Sequence, residues 1–128
     1  MRNYEHISAA EGLPTGSALL VVKRGPNAGA QFLLNRPITS VGRHPSRDIV
    51  LDDDTVSGQH AEFRWENGEL HVVDVGSPYG IYVNREPVES AALANGDEIC
   101  IGGFRLVVLK SRNDRERAAK TRRHPDSN

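Results

Sequence analysis

Short apolar segments separated by turn residues run through residues 18–109, and this pattern limits the chain to few folds. The clearest pair, residues 61–65 and 70–74, alternates apolar and polar residues on either side of Asn67-Gly68. Asn-Gly between alternating segments is the strongest short-range signal for a β-hairpin. No segment has a sustained helical period, so the sequence predicts an all-β protein, an antiparallel sandwich of two twisted sheets.

The other predicted strands are similarly short, and most are bounded by Gly, Pro, Asn or Asp. They cover residues 18–22, 31–34, 38–41, 49–51, 81–83, 98–101 and 104–109. Two loops, after residue 41 and after residue 51, follow neighbouring strands. If these strands pair, the two loops lie side by side at one end of the sheet.

The length of 128 residues fits a single domain with short extensions. We predict a flexible N-terminal arm at residues 1–16, one domain at residues 17–109 and a charged, disordered tail at residues 110–128. The tail carries a formal charge of +4, whereas the preceding residues carry −5. Only the tail could therefore seek nucleic acid by charge alone, and it has no aromatic residue to stack on bases. We do not expect nucleic acid as the partner.

The single cysteine, Cys100, cannot form an intramolecular disulfide, and no Cys/His cluster has metal-ligand spacing. Cys100 lies in an apolar strand segment, which predicts a buried, inert thiol. The chain has no signal-peptide-like or membrane-spanning apolar run. We expect a cytoplasmic protein with no metal, no cofactor and no membrane partner.

The candidate binding site lies in residues 41–60, where Gly42-Arg43 follows one strand and Ser57 and His60 end the next loop. A guanidinium offers a bidentate charged fork and a serine hydroxyl offers a neutral donor, a combination suited to phosphate. Arg43 could instead form an ion pair with Asp48 or Asp52. Ser57 could be a turn residue that hydrogen-bonds its own backbone.

Three consecutive acids, Asp52, Asp53 and Asp54, lie in the same region. They lack the loop glycine and distal acid of a calcium loop, and the chain has no phosphate-binding Gly-x-x-x-x-Gly-Lys sequence. We predict a solvated turn and no catalytic site. These acids would repel a phosphate unless they point away from Arg43 or pair with Arg47.

Three motifs occur in a characteristic order: Gly42-Arg43, then the run from Ser57 to His60, then Gly80 with Asn84. This order resembles the forkhead-associated (FHA) domain, a phosphothreonine-binding β-sandwich, over about residues 18–109. The resemblance implies that Arg43 and Ser57 contact phosphate, that Gly42 and His60 are structural supports, and that Asn84 braces the loop after Gly80. It further implies a set of peptide-binding loop residues: Gly58, Gln59, Tyr79, Gly80 and Ile81.

The chain departs from the family pattern at the contact positions. Gly58 stands where the family usually has Arg or Asn, and it can supply no side-chain contact. Tyr79-Gly80 replaces an Asn-Gly pair, and a phenol cannot reproduce the donor and acceptor of an amide. Ile81 replaces a common Thr. We therefore expect phosphopeptide binding that is weaker or less selective than in a full family member.

The resemblance implies a non-catalytic signalling or metabolic regulator that acts downstream of Ser/Thr kinases. Its partner would be a phosphothreonine-containing protein, either a kinase or a metabolic enzyme. The alternative is a degenerate scaffold that binds a protein partner without phosphorylation, through the side chains of Tyr79 and Ile81 at the loop tip.

The resemblance also implies a switch in which threonines of the N-terminal arm are phosphorylated and the arm folds back onto the pocket. The arm of this chain contains only Thr15, close to the first strand. We therefore predict that the intramolecular switch is absent. Thr121 in the tail is the other residue that a kinase could modify.

Overall fold

The computed structural model describes residues 16–110. The predictions for the N-terminal arm, for the tail and for Thr15 and Thr121 lie outside these residues, except at Gly16 and Lys110. Lys110 was assigned to the tail but is the buried last residue of a strand. Within the described part of the chain, no helix is both long and apolar enough to cross a membrane.

The described residues form short β-strands throughout, as the turn spacing predicted. The strands are β1 (Ala18–Arg24), β2 (Gln31–Leu34), β3 (Ile38–Gly42), β4 (Ile49–Val50), β5 (Ala61–Glu66), β6 (Glu69–Asp74), β7 (Ile81–Val83), β8 (Glu86–Val88), β9 (Ser90–Leu93), β10 (Glu98–Ile101) and β11 (Phe104–Lys110).

Two sheets pack face to face. One has the strand order β2-β1-β11-β10-β7-β8 and the other β4-β3-β5-β6-β9. Inward-facing apolar residues alternate with outward-facing ones along the strands, as in β11, where alternate residues from Phe104 to Lys110 are buried. The predicted two-sheet sandwich is confirmed.

The core lies between the sheets and consists of branched aliphatic side chains with two phenylalanines. Its largest fully buried members include Phe63, Phe104, Leu20, Leu70 and Leu106. Burying one such side chain contributes about 1.5–3 kcal/mol, so this core is the main source of stability for the loops it supports.

The β5–β6 hairpin turns at Asn67-Gly68 with positive φ at both residues, as predicted from the sequence. Two strands, β8 and β9, were missed. The two-residue turn between β7 and β8 is Asn84-Arg85, and both residues again have positive φ. Arginine is uncommon in this conformation, so the sequence carried no hairpin signal there.

The pairing of β3 with β4 is parallel, whereas every pairing was expected to be antiparallel. Parallel pairing brings the ends of both strands to the same edge of the sheet. The loops that follow them, residues 43–48 and 51–60, therefore start side by side.

Candidate functional site

Three loops meet at one end of the sandwich. We call residues 43–48 the first loop, residues 51–60 the second loop and residues 75–80 the third loop. The backbone N–H of Arg43 donates to the carbonyl of Ser57 (2.8 Å), and that of His44 donates to the carbonyl of Gly58 (3.3 Å). These bonds join the first two loops directly behind the predicted phosphate residues.

Two glycines allow the loops to approach this closely. A Cβ on Gly42 would lie 2.2 Å from the carbonyl oxygen of Gly58, and a Cβ on Gly76 would lie 2.5 Å from that of Gln59. Both distances are far inside van der Waals contact with backbone atoms that cannot rotate away. The predicted structural role of Gly42 therefore has a steric cause, which is backbone packing against the second loop.

His60 lies beneath the loops and is only 1% exposed. Its Nδ1 accepts the backbone N–H of Ser57 (3.2 Å), its own N–H donates to Val41, and its carbonyl accepts from Val75. Burial lowers the pKa of the His60 imidazole, an effect that Asp74 partly opposes. A neutral ring that accepts at Nδ1 carries its proton on Nε2, which has no hydrogen-bond partner among the described residues. Through its Nδ1 and its backbone, His60 links β3 to the second and third loops.

The Ser57 hydroxyl serves the loops as well. It donates to the carbonyl of Gln59 at 2.7 Å or to that of Gly76 at 3.0 Å. A hydroxyl has one proton, so only one of these bonds is made at full strength, and rotation about χ1 could redirect it. The backbones of Ser57 and Arg43 are brought together, while this hydroxyl lies against the third loop.

The Arg43 guanidinium is held by two carboxylates of the second loop. Nε contacts Asp52 at 3.1 Å and Nη2 contacts Asp54 at 3.1 Å. The hydrogen bond to Asp52 is the main reason that the pKa of Arg43 is raised. We call Asp52 and Asp54 the aspartate pair. Of the two ion pairs weighed from the sequence, the one with Asp52 is present.

Asp48, the other candidate for that ion pair, lies elsewhere. It contacts Arg36 (3.3 Å) and accepts from the backbone and hydroxyl of Ser40. These hydrogen bonds, the one from the Ser40 backbone above all, lower the pKa of Asp48. Arg47, which we considered as a partner for the acids, donates instead to the hydroxyl of Ser46.

A groove of about 490 Å³ opens beside the guanidinium. It is lined by Arg43, His44, Pro45, Val50, Asp52, Val56 and Gly58. A Cβ on Gly58 would have no neighbour nearer than 3.9 Å, so the side of the groove at Gly58 has open space above the backbone. The groove combines one guanidinium, one carboxylate and the apolar side chains of Pro45, Val50 and Val56, and an apolar groove with a few charged groups can accommodate an extended peptide.

The third loop is anchored by Asp74, whose carboxylate accepts from the backbones of Gly76 and Ser77 and from the Ser77 hydroxyl. Burial raises the pKa of Asp74, but these hydrogen bonds outweigh it and the net pKa is lowered. At the tip, Tyr79 is 78% exposed. The third loop thus exposes the Tyr79 phenol at its tip, while hydrogen bonds to Asp74 hold the start of the loop in place.

The prediction that Ile81 is an exposed contact residue is wrong. Its side chain is fully buried in the core, because β7 begins at this residue and its first side chain points inward. Ile81 can support the third loop from below, but its side chain cannot reach a peptide. Tyr79 is the exposed residue of that predicted pair.

Asn84 stabilises a turn rather than the tip of the third loop. Its Oδ1 accepts from the backbone of Glu98 (3.0 Å) and its Nδ2 donates to Asp97 (3.1 Å). These bonds fix the β7–β8 turn against the start of β10. The bracing of the loop after Gly80 is thus indirect, because it acts through the three residues of β7.

Sequence reasoning missed Thr55, which ties the second loop to the β10–β11 turn. Its hydroxyl accepts from the backbone of Gly103 (2.8 Å) and donates to Asp53. A Cβ on Gly102 would lie 2.7 Å from the Thr55 carbonyl oxygen, so the approach is close. Threonine in an acidic turn carries no sequence signal for such a contact.

Cys100 was expected to be buried, but it is half-buried. It lies on the outward face of β10 and pairs in register with Tyr82. Because side chains alternate along a strand, the buried neighbours Ile99 and Ile101 place Cys100 outside.

Residues 39–102 match the FHA domain family. The chain is 72% identical to the glycogen accumulation regulator GarA of Mycolicibacterium smegmatis over 103 residues, which cover 80% of this chain and 65% of that protein. It is 67% identical to an oxoglutarate dehydrogenase inhibitor of Corynebacterium efficiens over 102 residues, covering 80% of this chain and 72% of that protein. The chain thus spans just under two thirds of the first relative. The first relative is named as a regulator and the second as an inhibitor, in agreement with the predicted non-catalytic role.

Among solved structures, the fold is similar to one described as a structural and functional analysis of phosphothreonine-dependent FHA domain interactions. The TM-score is 0.67 at 31% identity, and the match covers 73% of this chain and 95% of that one. The arrangement of the two sheets is therefore shared with an experimentally studied domain.

Proposed function

The chain belongs to the FHA domain family, and from this membership we propose that it binds a phosphothreonine peptide across the groove beside Arg43. The phosphate would meet the Arg43 guanidinium and the donors of the second loop around Ser57. The peptide would extend past Gly58 and Gln59 toward Tyr79 and Gly80 in the third loop. Gly42 and His60 would hold these loops in place.

The observation that carries the proposal is the junction of the first two loops. The bond from the Arg43 N–H to the Ser57 carbonyl and the close approach of Gly42 to Gly58 fix the two predicted phosphate residues on adjoining backbones. Such a junction limits the conformational entropy that a ligand must remove from the loops. Arg43 is exposed enough, at 46% of its side chain, to meet a ligand from solvent.

Calorimetric titration with pairs of identical peptides, with and without phosphate on threonine, tests the proposal. We expect saturable binding of a subset of the phosphorylated peptides only. The affinity should be modest, because Gly58 removes a side-chain contact that would contribute about 1–3 kcal/mol if it were charge-assisted. Equal binding of both members of each pair would contradict the proposal.

For the physiological partner we propose a metabolic enzyme, with an oxoglutarate dehydrogenase as the first to be tested. The support is the name of the Corynebacterium relative, an inhibitor of such an enzyme, and its 67% identity to this chain. We expect purified oxoglutarate dehydrogenase to lose activity as this chain is added, and to keep it when Arg43→Ala is added instead. An unchanged rate at saturating protein would exclude this partner.

A second candidate function is a scaffold that docks a protein without phosphorylation. Tyr79 supports it, because a 78% exposed phenol at a loop tip is a typical contact residue of protein interfaces. Phosphatase treatment of the captured partner distinguishes the two functions. Loss of the complex supports phosphothreonine binding, and survival of the complex together with loss on Tyr79→Ala supports the scaffold.

A further inference from the structure

The ion pairs of Arg43 bear directly on how tightly the groove can hold phosphate. The carboxylates of the aspartate pair contact Nε and Nη2, the two nitrogens that form one side of the guanidinium, at 3.1 Å each. That side is one of the two at which an arginine binds an oxyanion through two parallel hydrogen bonds. A phosphate that used it would have to displace both carboxylates.

The charges around Arg43 also predict weak phosphate binding, even if the phosphate displaces neither carboxylate. One guanidinium and two carboxylates sum to one negative unit, so a phosphate dianion that approached the remaining N–H groups would meet a site whose cation is already overcompensated. Like charges within a few Å reduce affinity even in water, and the penalty falls as salt screens it.

We propose that the aspartate pair sets the affinity of the groove for phosphate by competing with it for Arg43. The proposal rests on phosphate binding at Arg43, the function proposed above. Asp52 and Asp54 are then affinity-determining residues of the same site, and Asp52 also lines the groove.

Exposure makes the competition reversible. The side chains of Asp52 and Asp54 are 81% and 93% exposed. Ion pairs of this kind are weak, worth at most a factor of about five in an equilibrium constant, since water solvates both partners. Phosphate can therefore displace the aspartate pair, but the effective affinity is reduced.

Asp53 provides a matched control within the same loop. Its carboxylate accepts from the backbone and hydroxyl of Thr55, and these bonds lower its pKa. Asp53 attracts Arg43 without forming an ion pair with it. Asp53→Asn therefore removes the same charge as Asp54→Asn, at the adjacent position, without removing an ion pair of Arg43.

The test is the affinity for one phosphothreonine peptide at low salt. We expect Asp54→Asn to bind about two- to fivefold more tightly than the wild type, and the double change Asp52→Asn with Asp54→Asn to bind about tenfold more tightly. Asp53→Asn should change the affinity by less than about twofold, and Asp54→Glu should resemble the wild type. The gains should shrink at about 0.5 M salt, where the screening length falls to about 4 Å.

A second probe does not depend on peptide choice. Inorganic phosphate can be titrated while the Nε–H signal of Arg43 is followed by NMR. Tighter phosphate binding by Asp54→Asn than by Asp53→Asn supports competition, even if no peptide in hand binds.

The outcomes separate the two proposals. If the wild type binds in an Arg43-dependent way and Asp54→Asn gains no more than Asp53→Asn, competition is overturned and the binding function stands. If Arg43→Ala binds phosphate as well as the wild type does, the binding function fails at Arg43 and competition fails with it. Weaker binding by Asp54→Asn would also overturn competition, since it would make Asp54 a support of the site.

Discussion

The site consists of a supporting layer and a contact layer, and they differ in how fully each is constrained. The supporting layer, Gly42, His60 and Gly76, is packed against backbone or buried and hydrogen-bonded. The contact layer contains Arg43, which is solvent-exposed and paired with acids, and Gly58, which offers no side chain. It also contains Tyr79 at an exposed loop tip.

This difference separates the geometry of the loops from their chemistry. The supporting layer fixes where the backbones lie, and the FHA resemblance implied two of its residues, Gly42 and His60, but not Gly76. The contact layer determines what the loops bind and how tightly, and it is here that the chain departs from the family pattern. Changes in the first layer should therefore affect folding and binding together, whereas changes in the second should affect binding alone.

The largest expected effect is that of Gly42→Ala. Its methyl group would lie 2.2 Å from the Gly58 carbonyl oxygen, so one of the two loops must move. We expect a loss of about 2–4 kcal/mol in the free energy of unfolding, together with loss of peptide binding. Urea denaturation measures the change in the free energy of unfolding.

Gly58→Ala is the control, because its methyl group would have no neighbour nearer than 3.9 Å. Its free energy of unfolding should stay within about 0.5 kcal/mol of the wild type. Equal destabilisation by the two substitutions would remove the distinction between the layers.

An intermediate effect is expected from Gly58→Arg, which alters only the contact layer. Gly58 does not have positive φ, so a side chain can be accepted there without backbone strain. A guanidinium beside the groove should tighten phosphopeptide binding by about 1–2 kcal/mol, or roughly five- to thirtyfold in Kd, with stability unchanged. Gly58→Gln controls for added length, and a similar gain for the unphosphorylated peptide would contradict the explanation.

The smallest effect is a pH dependence of stability caused by His60. Burial lowers its pKa in the folded protein below the unfolded value of 6.5, so the unfolded chain binds more protons in acid. The stabilising contribution is complete above pH 6.5 and is lost as the pH falls toward the folded pKa, with a slope of at most about 1.4 kcal/mol per pH unit.

Urea denaturation between pH 7 and pH 5 should show this slope in the wild type. His60→Asn keeps an acceptor for the Ser57 N–H but has no titrating ring, so the slope should be reduced. His44→Asn, at an exposed position of the first loop, should keep it. An unreduced slope in His60→Asn would assign the pH dependence to another group.

The sequence predicted the supporting layer better than the contact layer, for a physical reason. Asn67-Gly68 marked the β5–β6 hairpin because these two residue types are favoured where φ is positive. Gly42 and His60 followed from the order of the motifs. The β7–β8 turn at Asn84-Arg85 escaped prediction because its conformation depends on hydrogen bonds between Asn84 and Glu98 at the start of β10, a residue remote in sequence.

Side-chain direction was the other limit. Ile81 was placed at the loop tip because it matches a family Thr, although the predicted strand 81–83 was correct. Which face the first residue of that strand takes depends on its pairing with β10, and a shift by one residue reverses the face. The pairing of Arg43 with Asp54 depends on how the second loop folds back. Only Asp48 and Asp52 were considered as partners from the sequence, and Asp54 was missed.

The most direct test of the account is calorimetry of one phosphothreonine peptide with the wild type, Arg43→Ala and Arg36→Ala. Arg36 is the matched control, since it is also an exposed arginine paired with an aspartate, Asp48, outside the groove. The account predicts saturable binding by the wild type and Arg36→Ala, and at least a tenfold loss, or about 1.4 kcal/mol, for Arg43→Ala. Equal affinity of all three proteins would contradict it.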